Sequence, residues 1–567
     1  MSATTELVAL AGQAPRQRRK RFGFDVWTVV SLVLLLIFGV FLVYPLWGVF
    51  QQSVIDAEGN FSFDNFARFF TNNYYFVTIR NSFAVSFWVT VASLAVAIPF
   101  SYFYTYFRIK GARLLFILAV LSIMSAPFIG AYAWILLLGR NGLVRNILQP
   151  VWPFEIPTVY GFGGIVFVLT LKLFPLVSVF MNAAFRNVDS SLLEASALMG
   201  TTGLKRLGSV ILRLTIPTLL AASLLVFMRA FADFGTPLLI GEGFRVFTVE
   251  IYNQYLAETG QDHAFASALG IVGILVTTVI FLGQKFVAGR FSFTIKASRP
   301  PEKKRLRGLG GAAVYVYMYG LIGLAFLPKI YVIYLSFRNS TQSVFLPGFT
   351  LDNYTRAADR VLAQSTWNTL WFSGISLVII VLISVLIAYL VVRRPNPINN
   401  AIDTLAMLPY IMPGAVLAIG LVVAFNGPPL ALTGTVAIMV IAMVIRRMPY
   451  TIRSATATLM HMPISMEEAA RSLGASKMKT FFRVTMPMMS AGIASGAFLS
   501  FVTLLTELSA AIILYNNQTI TLTMAAFLEI SRGNYGLGAA YSSILTVITA
   551  VLMYVYLRFT REEDVRL

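Results

Sequence analysis

The chain has 567 residues, 57% of them hydrophobic and only 12% charged, with 44 Lys and Arg against 24 Asp and Glu. A soluble domain carries about 25% charged residues, so most of this surface must meet lipid rather than water, and there is little room for a soluble catalytic domain. With no Cys and two His, disulfides and thiolate metal sites are excluded and a zinc or haem enzyme is disfavoured. The net charge of +20 fits basic loops on one membrane face rather than nucleic-acid binding.

Residues 1–26 read as a basic tail, with Arg16, Arg18, Arg19, Lys20 and Arg21 just before a long apolar run. That run, Trp27 to Phe50, exceeds a signal-peptide core and lacks a small-residue cleavage site after it, so it reads as a retained first span. Further apolar segments lie near 81–106, 114–138, 159–184, 217–240 and 267–289, completing a first transmembrane domain over 27–290. A basic linker, 291–311, contains Arg299-Pro300-Pro301-Glu302-Lys303-Lys304-Arg305. A second domain, 312–560, repeats the pattern near 312–337, 367–392, 403–425, 433–456, 488–514 and 540–559, followed by a tail over 561–567. The fold expected is an all-α polytopic membrane protein of about 12 helices. Segments three and nine are the most open to a buried or re-entrant reading. Thirty of the 44 Lys and Arg then fall in the termini and the loops on their side, nine on the opposite face and five inside spans. This bias puts both termini in the cytoplasm.

The halves are related by duplication. Phe61-Ser62-Phe63-Asp64-Asn65-Phe66 matches Phe349-Thr350-Leu351-Asp352-Asn353-Tyr354, Asn81 and Asn368 both open a second span, and Pro45 and Pro328 each precede a Ser by eight residues, Ser53 and Ser336. Six segments per half make the repeats parallel, with a pseudo-two-fold axis along the membrane normal and a shared pathway at their interface. The long loops before the fifth segment of each half read Glu194-Ala195-Ser196-Ala197-Leu198-Met199-Gly200 and Glu468-Ala469-Ala470-Arg471-Ser472-Leu473-Gly474. An offset of 274 residues superposes these two stretches, sets Asp233 on Glu507, and sets Lys172-Leu173-Phe174-Pro175 on Arg446-Arg447-Met448-Pro449. An Ala-rich turn of helix is rigid and lets another backbone approach, Gly permits a sharp exit, and Glu offers a charge to a basic groove. An interfacial amphipathic helix is the alternative.

With its duplicated Glu-Ala-Ala loops, the sequence resembles the integral-membrane permeases of binding-protein-dependent ABC importers, in the fused form where one chain supplies both transmembrane domains. The resemblance implies that each loop is a cytoplasmic coupling helix docking on an ATPase subunit, through Glu194, Ala195 and Gly200 in one copy and Glu468, Ala469, Ala470 and Gly474 in the other. It implies two ATPase copies, one periplasmic or external solute-binding protein and a bacterial inner-membrane location, with no nucleic-acid partner. Copy two has the family's Pro thirteen residues past its Gly, Pro487; copy one has Arg213 there and a Pro at 217. No G-x-x-x-x-G-K-[ST] phosphate loop occurs, so ATP is expected on the partner ATPase. This chain is expected to be no enzyme, with no catalytic residue, cofactor or metal site of its own.

Ionisable residues inside spans mark function by default. The translocation-path candidates are Lys172, Arg229, Asp233, Arg446, Arg447 and Glu507. Arg229 and Asp233 stand four apart, which on a continuous helix makes them a pair on one face. The alternatives are structural ion pairs and snorkelling near span ends. His263 and His461 are isolated, and Met486, Met488 and Met489 are too few for a copper path. By the same resemblance, Phe231-Ala232-Asp233-Phe234-Gly235-Thr236-Pro237 is similar to what ferric-iron permeases carry, so ferric iron is the expected cargo. An anionic organic solute such as a phosphonate or sugar phosphate, or thiamine, shares the architecture. A secondary transporter of six plus six spans is the reading from another class.

Overall fold

The computed structural model describes residues 25–55, 58–123, 126–151, 153, 155–256, 262–290 and 301–559. The basic cluster Arg16–Arg21, linker residues 291–300 and the 561–567 tail lie outside the described residues. Within them the chain is almost wholly helical. Eight helices are long and apolar enough to cross a membrane, and eleven if three sharply bent pairs each count as one span. The remaining expected segment is the helix Val436–His461, whose 26 residues reach about 39 Å. It falls short of an apolar span only because Arg446, Arg447 and Arg453 lie on it.

The bends fall at segments three, nine and eleven. Ala112–Ile123 meets Phe128–Leu148 at 101°, Pro397–Ile411 meets Gly414–Phe425 at 114°, and Lys477–Met488 meets Ser490–Leu505 at 67°. Contacts between loops show that the first two are broken spans and not re-entrant loops. Loops reached after an even number of segments meet one another. Phe107–Arg108 pairs in parallel with Lys304–Arg305, Arg186 and Lys303 both lie over the Tyr104 ring, and Asp25 holds Arg394 and Lys477. Loops reached after an odd number do the same: Arg68 with Asp262, Arg140 with Glu242, Arg360 with Glu529, and Asn516 with the Gly434 carbonyl. Phe162–Arg186 crosses outright. Segment three must therefore cross as well, and the same parity applies to nine and ten.

The repeat is visible element by element. Phe162–Arg186 corresponds to Val436–His461, Ser190–Leu198 to Ser465–Ser472, and Gly203–Arg206 to Lys477–Thr480. Even the wide helical turns Leu207–Ile211 and Phe481–Thr485 stand 274 residues apart. The Asp-Asn motif has a local cause: Asn65 donates to the Ser53 and Ile55 carbonyls, and Asn353 to those of Ser336 and Arg338. Each Asn thus ties down the chain leaving the first span of its half. Asn81 and Asn368 donate to the Arg245 carbonyl and to those of Gln518 and Ile520. The next residues, Ser82 and Thr369, accept the Phe247 and Leu522 amides, which open the helices Phe247–Leu256 and Leu522–Ser531 and have no partner within them.

Each half lends its first span to the other. Val26–Ser53 packs on segment nine of the second half, with Trp27 between Tyr389 and Phe481 and Ser31 donating to Asn399 at 2.7 Å. Gly420 lies so close to the Pro45 carbonyl that a Cβ would meet it at 3.1 Å. Gly308–Ser336 packs on segment three of the first half, and its Tyr317 hydroxyl donates to the Val96 carbonyl of segment two. In the second half, segments ten and eleven touch through small residues, Gly492, Gly496 and Ser500 against Thr451 and Ser454. Such stripes let helix backbones approach within a membrane.

Candidate functional site

The two loop helices, Ser190–Leu198 and Ser465–Ser472, lie at the end of the molecule that collects the even-numbered loops. Asp189 caps the first by accepting the Ser191 amide. Both leave through glycines with φ of +77° at Gly200 and +84° at Gly474, a left-handed conformation that Gly adopts without a Cβ clash. Glu194, Ala195, Glu468 and Ala469 are exposed and Ala470 is half-buried. Beside them Leu198 and Leu473, at 91% and 90% exposed, are apolar side chains with no cover. The exits match although Arg213 replaces the proline of the other copy. The difference appears further on: Leu207–Phe231 is continuous with Pro217 inside it, whereas the matching span bends between Met488 and Ser490, just after Pro487.

The second loop is held by ions and the first by apolar contact. Glu467, next to the exposed Glu468, is buried on Arg393 at 2.8 Å. Lys477, at the exit, reaches Asp25 at 2.8 Å, and Arg394 holds the same carboxylate at 2.9 Å. These bonds, that of Lys477 foremost, hold the Asp25 carboxyl below its ordinary pKa. Leu193 stands in the place of Glu467 in the first half and is buried. Asp25, Arg394 and Lys477 were not legible as a set, since 452 residues separate the outermost two.

The intramembrane charges form two equivalent clusters and one bridge. Lys172 donates to Asp233 at 2.5 Å, and Asp233 also accepts the Thr236 amide at 2.9 Å. At the same offset Arg446 and Arg447 both pair with Glu507, which accepts the Ala510 amide at 3.1 Å. Each acid therefore joins a cation of the fourth span of its half to the start of the short helix after the fifth. Expected pairing of Arg229 with Asp233 is not what forms. The helix stops at Phe231, so Asp233 lies past its last turn and the four-residue spacing no longer sets both on one face. This also corrects the expected span ends: the fifth segment ends at Phe231 rather than near 240, and the eleventh at Leu505 rather than near 514.

Arg229 instead crosses to the other half. It donates to the Tyr450 hydroxyl, and its guanidinium carbon lies 5.5 Å and 5.4 Å from the Tyr410 and Tyr450 ring centres. Tyr410 is the next-to-last residue of Pro397–Ile411, so the break in segment nine positions it. Just after the break, Gly414 lies against the Arg446 guanidinium, and a Cβ there would come within 2.1 Å of it. Irregular backbone at membrane depth is tolerated where protein covers it or it lines a polar path. The bridge has no equivalent, because the matching positions hold Thr503 and Leu176. Tyr410, Tyr450 and Gly414 were not among the sequence candidates; neutral residues carry no charge signal, and only the fold brings them to Arg229 and Arg446. Lys329 was also missed. It is buried over the Phe326 ring, with no carboxylate partner among the described residues.

Residues 85–293 and 361–562 each match the model of the family described as binding-protein-dependent transport system inner membrane component. The chain belongs to that family. Two copies in one chain make it the fused, two-domain form of this ABC importer permease. It is 29% identical to the ferric transport system permease protein FbpB of Actinobacillus pleuropneumoniae, over 94% of this chain and 77% of that one. It is 30% identical to the putative ferric transport system permease protein FbpB 1 of Haemophilus influenzae, over 88% and 79%. A putative 2-aminoethylphosphonate transport system permease protein, PhnU of Salmonella typhimurium, is 24% identical over 46% of this chain and 91% of its own length.

Proposed function

We propose that this permease carries ferric iron across a bacterial inner membrane, driven by a separate ATPase that docks on Ser190–Leu198 and Ser465–Ser472. The observation that carries the cargo is the likeness, along nearly the whole chain, to relatives named for ferric transport. For the coupling role, support comes from two symmetric helices at one end of the molecule, each with an exposed Glu and followed by an uncovered apolar residue, Met199 or Leu473. Two ATPase copies then match two loops, and one solute-binding protein delivers cargo at the opposite face. Loops of the even-numbered set, both termini included, are cytoplasmic in this reading. ATP is bound and cleaved by the partner, and this chain performs no chemistry of its own. The path runs between the halves past Lys172, Asp233, Arg229, Arg446, Arg447 and Glu507.

Reconstituted vesicles with the ATPase and a binding protein loaded with radioactive iron test the proposal. Glu468→Lys or Gly474→Pro should uncouple ATP hydrolysis from uptake with membrane insertion intact, and Glu194→Lys or Gly200→Pro should act in the same direction. Unchanged uptake when both loops are altered would sink the coupling assignment. An anionic organic solute is the second reading, favoured by the excess of cations at the Arg229 bridge; uptake of a labelled phosphonate in place of iron would select it.

A further inference from the structure

The intramembrane charges do not suit a bare ferric ion. The two clusters and the bridge together hold four cations, Lys172, Arg229, Arg446 and Arg447, and two carboxylates, Asp233 and Glu507. Both carboxylates are already occupied, Asp233 by Lys172 and an amide, Glu507 by two guanidiniums and an amide. A hard trivalent cation calls for anionic oxygen ligands. Among the described residues no group of three His, Cys, Asp or Glu is close enough to hold a metal.

Donors, by contrast, are in surplus. Among the described residues Arg229 has the Tyr450 hydroxyl and the faces of Tyr410 and Tyr450 as partners, and no carboxylate pairs with it. The Nε of Arg447 is buried without an acceptor. Arg446 and Tyr450 are four apart on one helix, and Tyr450 touches Arg229 of the other half. That face of Val436–His461 therefore looks onto the interface. Tyr450 lies 14 residues into the helix, about 21 Å from its start and close to its middle. Guanidiniums with neighbouring hydroxyls are a donor set for oxyanions, which they bind through paired, charge-assisted hydrogen bonds.

We infer that Arg229, Tyr410 and Tyr450 form an oxyanion-recognising constriction, and that iron crosses as a complex bearing a carboxylate or phosphate ligand. The inference rests on the reading of the half interface as the path, and it sets the chemical class of the cargo that this path accepts. A phosphate and a multidentate carboxylate such as citrate share the chemistry, and the experiment separates them.

Vesicles holding the permease and its ATPase receive binding protein loaded with radioactive iron and either labelled phosphate or labelled citrate as the iron's sole ligand. Anion label should enter with iron at a fixed ratio near one in at least one arm. Arg229→Gln should lower entry of both labels by at least about tenfold, Arg229→Lys should recover part of it, and Tyr450→Phe should fall between. Melting temperature and ATPase stimulation by binding protein should stay near wild type in Arg229→Gln, separating a path defect from misfolding. Iron that accumulates with neither anion, or wild-type uptake by Arg229→Gln, overturns the inference while leaving the iron assignment standing. Anion entering without iron has the opposite result: the constriction stands and the ferric reading falls.

Discussion

Glu507→Gln is the most informative perturbation of the buried charges. The Glu507 side chain is 1% exposed and the two guanidiniums it holds are 12% and 13% exposed. Glutamine keeps a carbonyl oxygen for the Ala510 amide but removes the charge, leaving two cations side by side with no carboxylate. Removing one partner of a buried pair costs about 3–5 kcal/mol, and two stranded cations put this case at the upper end. Glu507→Ala also strands the amide, adding about 1–3 kcal/mol. At about 2–4 °C per kcal/mol for a domain of 150–250 residues, the glutamine variant should melt on the order of 10 °C lower. Asp233→Asn should cost less, about 1.5–3 kcal/mol, the range for a hydrogen bond to a charged group. It strands one cation, and Lys172 is 18% exposed with a flexible stem that can turn its charge toward water. The assay is thermal unfolding of purified protein in nanodiscs, with Arg447→Gln added to Glu507→Gln as a rescue. Equal melting of Glu507→Gln and wild type, or a larger loss at Asp233→Asn, would refute the charge-compensation argument.

Three further outcomes follow from the geometry. A double-mutant cycle on Lys172 and Asp233 should show coupling above about 1 kcal/mol, whereas Arg229 and Asp233 should couple by less than about 0.5 kcal/mol; the reverse order would restore the i,i+4 pair. Gly496→Ala places a Cβ 2.8 Å from the Thr451 Cα, so segments ten and eleven must part. That should cost about 1–3 kcal/mol in a thermal melt, with Gly323→Ala, where a Cβ meets nothing within 4 Å, as the neutral control. The Asp25 clamp should be sensitive to salt and not to neutral pH. A carboxyl whose folded pKa is lowered stabilises above its ordinary range and loses that contribution only as pH falls through the lowered value. ATPase coupling should therefore hold flat from about pH 6 to 8, yet weaken on raising salt from about 0.05 M to 0.5 M as exposed pairs are screened. Asp25→Asn should reduce the salt effect, and a salt response of undiminished size in Asp25→Asn would exclude the clamp as its source.

Apolar run length, basic-loop bias and the 274-residue repeat are local or periodic properties, and they were enough to determine the all-α membrane class, the duplication and the two exposed loop helices. They also placed every intramembrane charge of the two symmetric clusters, because a Lys, Arg, Asp or Glu amid apolar residues is visible in one dimension. What they could not determine was partnership. The i,i+4 rule assigned Arg229 to Asp233 on the premise of a continuous helix, and the helix ends two residues short of the acid. With the turn broken, Asp233 is free to cap the next helix and take Lys172 from the neighbouring span. Arg229, left without it, reaches Tyr450 across the interface. The tyrosines, the glycine against Arg446, and the exchange of first spans between halves belong to the same category. Each depends on which helices become neighbours in space, and that is settled by side-chain packing and burial over separations of up to hundreds of residues, where no sequence period reaches.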